Sequence, residues 1–226
     1  MKKQITIALD GPAGAGKSTI ARLLARKMGI LYLDTGAMYR AVGLKAMRAG
    51  IRTADEDAVT AMLAQTELEI VLSNDGQLVV LDGEDVSQAI RTPEASLAAS
   101  NFSALPAVRR RLVELQRDMA ARHSLIMDGR DIGTYVLPDA TFKFFLTAEP
   151  AVRARRRLLD LQSRGDQSAV FGQVLADIEY RDRQDSQRAV APMRQADDAI
   201  LIDSTLLSIE DVVNTIMSFI GEALNE

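Results

Sequence analysis

No cysteine and no tryptophan occur in the 226 residues, and His123 is the single histidine. Without cysteine the chain can form no disulfide framework, no thiolate zinc site and no Cys nucleophile, and one histidine cannot build a Cys/His metal cluster. Aromatic residues make up only 4%, too few for the stacking platforms that hold single-stranded nucleic acid. Nor is there a surplus of positive charge. The 27 Lys and Arg against 31 Asp and Glu leave a net charge of -4, which argues against a nucleic-acid polymer as partner. No apolar run approaches the roughly 18 residues of a membrane helix, and the stretch between Lys3 and Asp10 is too short for a signal peptide. A soluble cytoplasmic protein with no membrane partner is expected.

The length fits one domain or one domain plus a small appendage, with a core large enough to need no staple. Residues 4–9 form a short apolar run with β-branched Ile5 and Ile7 and read as a buried strand ending at Asp10-Gly11. Helices follow at 18–28, 36–49 and 55–65, the last with Thr53 as N-cap and Glu56 reaching back to it. Residues 30–33 give a second strand. The texture changes near residue 67. Strand-like runs at 68–73 and 77–81 and the segment 84–87 are joined by Asn74-Asp75-Gly76 and Asp82-Gly83, two Asx-Gly turns that indicate antiparallel hairpins. Helices are expected at 93–99 and 106–122. Alternation resumes with strands at 124–127, 142–146 and 199–202 and helices at 149–163, 168–188 and from Ser208 to 224. Strands alternating with helices, with polar residues at strand C-termini, indicate a parallel sheet that binds its ligand at that edge.

Gly11-Pro12-Ala13-Gly14-Ala15-Gly16-Lys17-Ser18 matches G-x-x-x-x-G-K-[ST] between a strand and a helix. A chain of this length reaches that match by chance about 1% of the time. Its backbone N–H groups turn inward around phosphate oxygens, and the following helix points its positive end at them. Lys17 is placed to reach the β/γ-phosphates and the Ser18 hydroxyl to ligate Mg²⁺. No Asn is followed by Lys and no Asp-x-x-Gly occurs, which removes the guanine reader and switch of a regulatory GTPase. Asp128 ends an apolar strand, where a carboxylate can hold Mg²⁺ through its waters. Arg153, Arg155, Arg156 and Arg157 crowd one stretch and Arg164-Gly165 follows. They read as a solvated helix face or as a mobile lid that brings positive charge onto a transferring phosphoryl group. Arg181, Asp185 and Arg188 fall on one helix face at i, i+4 and i+7. The 21 Arg against 6 Lys suit phosphate, although codon or genome bias is the better explanation of the ratio taken alone.

These pieces together resemble bacterial-type cytidylate kinase, a nucleoside monophosphate kinase family, over nearly the whole chain. The carrying motifs are Asp10-Gly11-Pro12 into the P-loop, residues 33–40 (LDTGAMYR), 128–133 (DGRDIG), the Arg153 to Arg157 cluster, 181–188 (RDRQDSQR) and 196–199 (ADDA). Pro150-Ala151-Val152 departs from the family, where Glu is more usual. The resemblance implies an α/β fold with a P-loop core of about five parallel strands flanked by helices, a small antiparallel insert domain and a helical lid. The core is expected at 1–66 and 105–226, the lid at about 150–168 and the monophosphate-binding insert at 67–104. It implies transfer of the γ-phosphoryl group of ATP to CMP or dCMP with Mg²⁺. ATP is then expected on Gly11, Pro12, Ala13, Gly14, Ala15, Gly16, Lys17, Ser18 and Thr19. Thr35, Ser100, Arg109 and Asp131 surround cytosine, with Tyr39 in the same site. Arg181 and Asp185 face the pentose, with Ser100 near Asp185. Arg40, Arg130 and Arg188 hold the monophosphate, and Arg153 and Arg157 belong to the lid. Lys17, Arg130, Arg153, Arg157, Arg188 and Asp128 are the expected catalytic set, with Ser18 on the metal and Asp128 behind it through water.

The residues fit that chemistry. A phosphate acceptor is already anionic near neutral pH, its second pKa being about 6, so it needs charge neutralisation and alignment, not a strong base. A kinase for a hydroxyl acceptor needs a carboxylate base, and Asp34 or Asp128 keeps that rival open, as another nucleotide acceptor such as UMP also stays open. A nucleotide-binding switch is the alternative of a different class. No exposed apolar stripe is evident, so a monomer is expected.

Overall fold

The computed structural model describes residues 4–73, 76–163 and 165–225. The turn expected at Asn74-Asp75 and the cation Arg164 lie outside the described residues. In chain order the elements are β1 (Thr6–Asp10), α1 (Lys17–Met28), β2 (Leu31–Asp34), α2 (Thr35–Arg48), α3 (Glu56–Ala64), β3 (Leu68–Ser73), β4 (Gly76–Leu81), β5 (Glu84–Asp85), α4 (Pro93–Phe102), α5 (Pro106–Arg122), β6 (Leu125–Asp128), β7 (Phe142–Thr147), α6 (Pro150–Ser163), α7 (Phe171–Gln187), β8 (Ile200–Asp203) and α8 (Ile209–Asn225).

Five strands pair in parallel in the order β2-β6-β1-β7-β8, because each helical crossover returns the chain to the same end of the sheet. Ile7, Ala8 and Leu9 of β1 and Leu125, Ile126 and Met127 of β6 are fully buried, as expected of strands covered on both faces. One face packs on α1 and α8 through Ile20, Leu24, Val212 and Ile216. The other packs on α2, α3 and α5 through Met38, Val42, Val59, Met62, Val108 and Leu112. Each such side chain, fully buried, contributes about 1.5–3 kcal/mol. The register sets up the site: Asp34 lies opposite Asp128 across β2 and β6, and Leu9 lies opposite Asp128 across β1 and β6. Asp10, Asp34 and Asp128 therefore end three strands at one edge, where open α/β sheets receive ligands.

The second sheet is antiparallel, in the order β3-β4-β5. It packs Val79, Leu81, Val86 and Ile90 against Ala37 and Ala41 of α2. Gln77 of β4 joins the two sheets with its side chain. Its Oε1 accepts the backbone N–H of Asp34 at 2.8 Å and its Nε2 donates to the Asp34 carbonyl at 3.3 Å.

Helix starts follow capping chemistry with one correction. Asp34 caps α2 by accepting the Ala37 N–H, Thr92 caps α4, and Ser208 and Asp211 form the reciprocal pair that opens α8. At α3 the cap is Asp55, whose carboxylate accepts the Ala58 N–H, not Thr53. An aspartate two residues nearer the helix reaches its free N–H groups directly. Helix α7 starts at Phe171 and stops at Gln187, so Arg188 lies beyond it in extended backbone. One turn of π-helix at Ile132–Val136 has no counterpart in the sequence reading. Both Tyr135 and Val136 donate to the Asp131 carbonyl there. No helix among the described residues is long and apolar enough to cross a membrane.

Candidate active site

The loop between β1 and α1 wraps the carboxyl edge of the sheet. Gly11 has φ +143, and a Cβ there would collide with the Leu146 carbonyl oxygen. Gly16 starts α1 at φ +94, a conformation that L side chains rarely adopt. Lys17 is 6% exposed, and its ammonium donates to the Pro12 carbonyl at 2.7 Å. Burial pushes its pKa down from the usual lysine range, and the nearby Arg130 guanidinium adds to the shift. Ser18 Oγ donates to Asp128 Oδ2 at 2.6 Å, and Tyr32 Oη donates to Asp128 Oδ1 at 3.1 Å. Burial raises the Asp128 carboxyl above its ordinary value, and the Asp34 charge adds to this. Asp10, behind the loop, accepts the N–H groups of Ile132 and Gly133 at 2.8 and 2.7 Å. Desolvation outweighs those bonds and pushes its pKa up to about 7.

No group of three or more His, Cys, Asp or Glu gathers into a metal cage among the described residues. Ser18 and Asp128 instead offer hard oxygen donors beside the phosphate loop. That set fits Mg²⁺, which keeps several waters and takes its other ligands from substrate phosphates.

Opposite the loop stands a bank of guanidiniums. Arg40 pairs with Asp34 at 2.8 Å, Arg130 Nε with Asp185 Oδ2 at 2.8 Å and Arg188 with Asp131 Oδ1 at 2.8 Å. The other oxygen of Asp131 accepts from Arg109, which is itself 1% exposed and lies within 6 Å of the Tyr39 and Tyr135 ring centres. Arg181 makes no ion pair among the described residues, and its Nε is buried without a partner. Burial, followed by the charge of Arg130, lowers its pKa to about 10. Ser100 Oγ is likewise buried without a partner. The Arg181 Nε and the Ser100 hydroxyl are each left without a hydrogen bond at the cleft wall, where a polar ligand would satisfy them.

The two banks face each other across one cleft of about 680 Å³. It is lined by residues 13–19 of the loop, Thr35, Tyr39, Arg40, Ser100, Asp128, Arg130, Asp131, Arg157, Arg181, Asp185 and Arg188. Four expected residues lie off this wall. Gly11 and Pro12 support the loop from behind. Arg109 sits beneath Asp131. Arg153, expected on the lid, is buried at 4% exposure and points the other way, donating to the Ala13 and Ala148 carbonyls and to Asp182. Asp182 in turn accepts the Ala13 N–H at 3.1 Å. Arg153, within the segment expected as the lid, thus braces the loop against α6 and α7 through an acid 29 residues away. Arg130, two residues after Asp128, pairs with Asp185 of α7.

Sequence reasoning missed the far end of the cleft. Arg156 donates to the Ser204 carbonyl and hydroxyl, and Leu207, Ile209 and Val212 add an apolar wall there. Tyr32 was missed as well, since as a strand residue it reads as core.

The family model described as cytidylate kinase matches residues 7–222. A protein named cytidylate kinase from Desulfitobacterium hafniense is 51% identical over 98% of this chain and 95% of its own length. Another of that name from Caldicellulosiruptor saccharolyticus is 50% identical over 95% of each chain. Among solved structures, a shikimate kinase from Bacteroides thetaiotaomicron superposes with a TM-score of 0.50 at 14% identity over 96% of this chain and 98% of that one; it shares the fold alone. With a family match along almost its entire length and half its residues identical to such relatives, the chain belongs to the cytidylate kinase family.

Proposed function

We propose that this protein transfers the γ-phosphoryl group of ATP to CMP or dCMP, giving ADP and CDP or dCDP, with Mg²⁺. The observation that carries the reading is the face-to-face arrangement of the phosphate loop and the guanidinium bank, with Arg181 and Ser100 left without partners between them. The loop amides, Lys17 and Thr19 take the ATP phosphates, and the apolar wall of Leu207, Ile209 and Val212 receives its base. Arg40, Arg130 and Arg188 neutralise the acceptor phosphate, Arg181 and Asp185 orient the pentose, and Thr35, Ser100, Arg109 and Asp131 surround the base. Ser18 and, through water, Asp128 would hold Mg²⁺, which would supply positive charge to the phosphates of ATP. Arg157 brings its charge in from the lid side, and closure over the substrates excludes water from the transfer.

No general base is required, because the acceptor oxygen is already ionised. The carboxylates support this reading over a hydroxyl-acceptor kinase. Asp34 is engaged by the start of α2 and by Arg40, and Asp128 by Ser18 and Tyr32, and each bond to the ionised form makes the carboxylate a weaker base. Coupled ADP release with a panel of CMP, dCMP, UMP, AMP and shikimate tests the proposal. CMP and dCMP are expected to give the highest kcat/KM. Slow ADP release independent of any acceptor, or turnover only with a hydroxyl acceptor, would refute it.

A further inference from the structure

We infer that Tyr32 is a positioning residue for the pair that binds the metal, fixing Asp128 so that Ser18 presents its lone pairs to Mg²⁺. The inference rests on the Mg²⁺-dependent reading above. Tyr32 lies in β2 opposite Ile126, two residues before the Asp34–Asp128 pair at the strand ends. Its ring is packed in the core between the sheet and α1, and its hydroxyl runs forward to the carboxyl edge.

Asp128 receives one hydroxyl on each oxygen, Tyr32 on Oδ1 at 3.1 Å and Ser18 on Oδ2 at 2.6 Å. With both oxygens engaged, the carboxylate cannot turn about its last torsion without breaking a bond. Ser18 has one proton to give. Held toward Asp128, that proton leaves the Oγ lone pairs for the cleft, where a hard cation needs them. Arg22, one turn beyond Ser18 on the same helix, lies over the Tyr32 ring with its guanidinium carbon 5.8 Å from the ring centre. The helix that carries the metal-facing hydroxyl therefore also holds the phenol from behind.

Core packing accounts for the ring but not for the oxygen. A phenylalanine would fill the same space without bringing a hydroxyl that needs a buried partner. Hydrogen bonds of this kind, one step removed from a metal, typically govern its affinity by about 10- to 100-fold.

The test is Mn²⁺ binding to the enzyme–ADP complex, read from the electron paramagnetic resonance of free Mn²⁺. Tyr32→Phe is expected to weaken Mn²⁺ binding about tenfold while metal-free ADP affinity and the KM for CMP stay unchanged. In an Asp128→Asn background the same substitution should have almost no effect. Equal Mn²⁺ affinity in wild type and Tyr32→Phe overturns the inference, as does an equal loss in both backgrounds. Arg22→Ala, which removes the guanidinium from the ring face while the core packing stays, is the second variant and should weaken Mn²⁺ binding by a few fold. If the phenylalanine chain does not fold, unchanged affinity in Arg22→Ala overturns the inference instead. A wild-type complex that binds no Mn²⁺ defeats the metal reading itself, and this inference with it.

Discussion

Arg188 donates from Nη2 to Oδ1 of Asp131 at 2.8 Å, with both side chains almost wholly buried. The second carboxylate oxygen is held by Arg109. One carboxylate thus joins two guanidiniums, of which Arg188 also lies 3.9 Å from Asp185. Asp131→Ala leaves Arg109 buried without its counter-charge and should lower the unfolding free energy by about 3–5 kcal/mol, the usual penalty for breaking a buried pair from one side. Urea titration measures it. A loss under about 1 kcal/mol would mean that water reaches the pair.

Lys17→Ala should reduce kcat/KM with CMP by at least about 10²-fold, comparable to removing one preorganised donor from a developing charge. Steady-state kinetics at saturating CMP and varied Mg-ATP check this. Turnover near wild type would exclude Lys17 from the transfer.

Asp185 fixes Arg130 through a 2.8 Å bond and accepts the Met193 N–H on its backbone carbonyl. Its carboxylate bonds Arg130 and lies 3.9 Å from Arg188, both on the guanidinium bank. Asp185→Ala should lower kcat/KM for CMP by about 10- to 100-fold, the equivalent of one hydrogen bond to a charged group. ATP affinity, measured by equilibrium binding without CMP, should stay within about twofold. A raised ATP Kd with normal CMP kinetics would move Asp185 to the donor site.

Asp10 gives the pH signature. Its pKa is pushed up to about 7 in the folded chain from 3.8, so the folded state binds more protons than the unfolded state between those values. The stabilisation from its protonated form is complete below pH 3.8 and is lost as pH rises through about 7. Between pH 4.5 and 6.5, roughly, the stability difference between wild type and Asp10→Asn should change by about 1.4 kcal/mol per pH unit. Parallel stability curves for the two chains would show that Asp10 stays ionised.

The sequence made the carboxyl edge legible because it is built locally. Asp10, Asp34 and Asp128 each follow an apolar run, and the phosphate loop needs only eight consecutive residues. Asp82-Gly83 and the Ser208–Asp211 pair were readable for the same reason. What stayed hidden depends on distant partners. Arg153, Arg156 and Arg157 look alike as text. Only the phase of α6 against Asp182 and Ser204 sends the first under the loop and the second toward α8. The start of the π turn is likewise held by Asp10, more than a hundred positions earlier, which accepts its first two N–H groups. Arg188 could be placed near Arg181 by spacing, although it reaches the cleft from beyond the end of α7.

Ala13 is held on both sides of its residue by the helices above it. Arg153 takes its carbonyl and Asp182 its N–H, and Asp182 and Arg153 are bonded to each other. The glycine-rich loop is therefore tied to both helices at a single residue, so a displacement of α6 or α7 is felt first at Ala13. A chain shortened by removing α6 and α7 would keep the glycine-rich motif intact in its sequence. It would nevertheless leave the Ala13 donor and acceptor bare, and the loop would lose the two bonds that fix its middle.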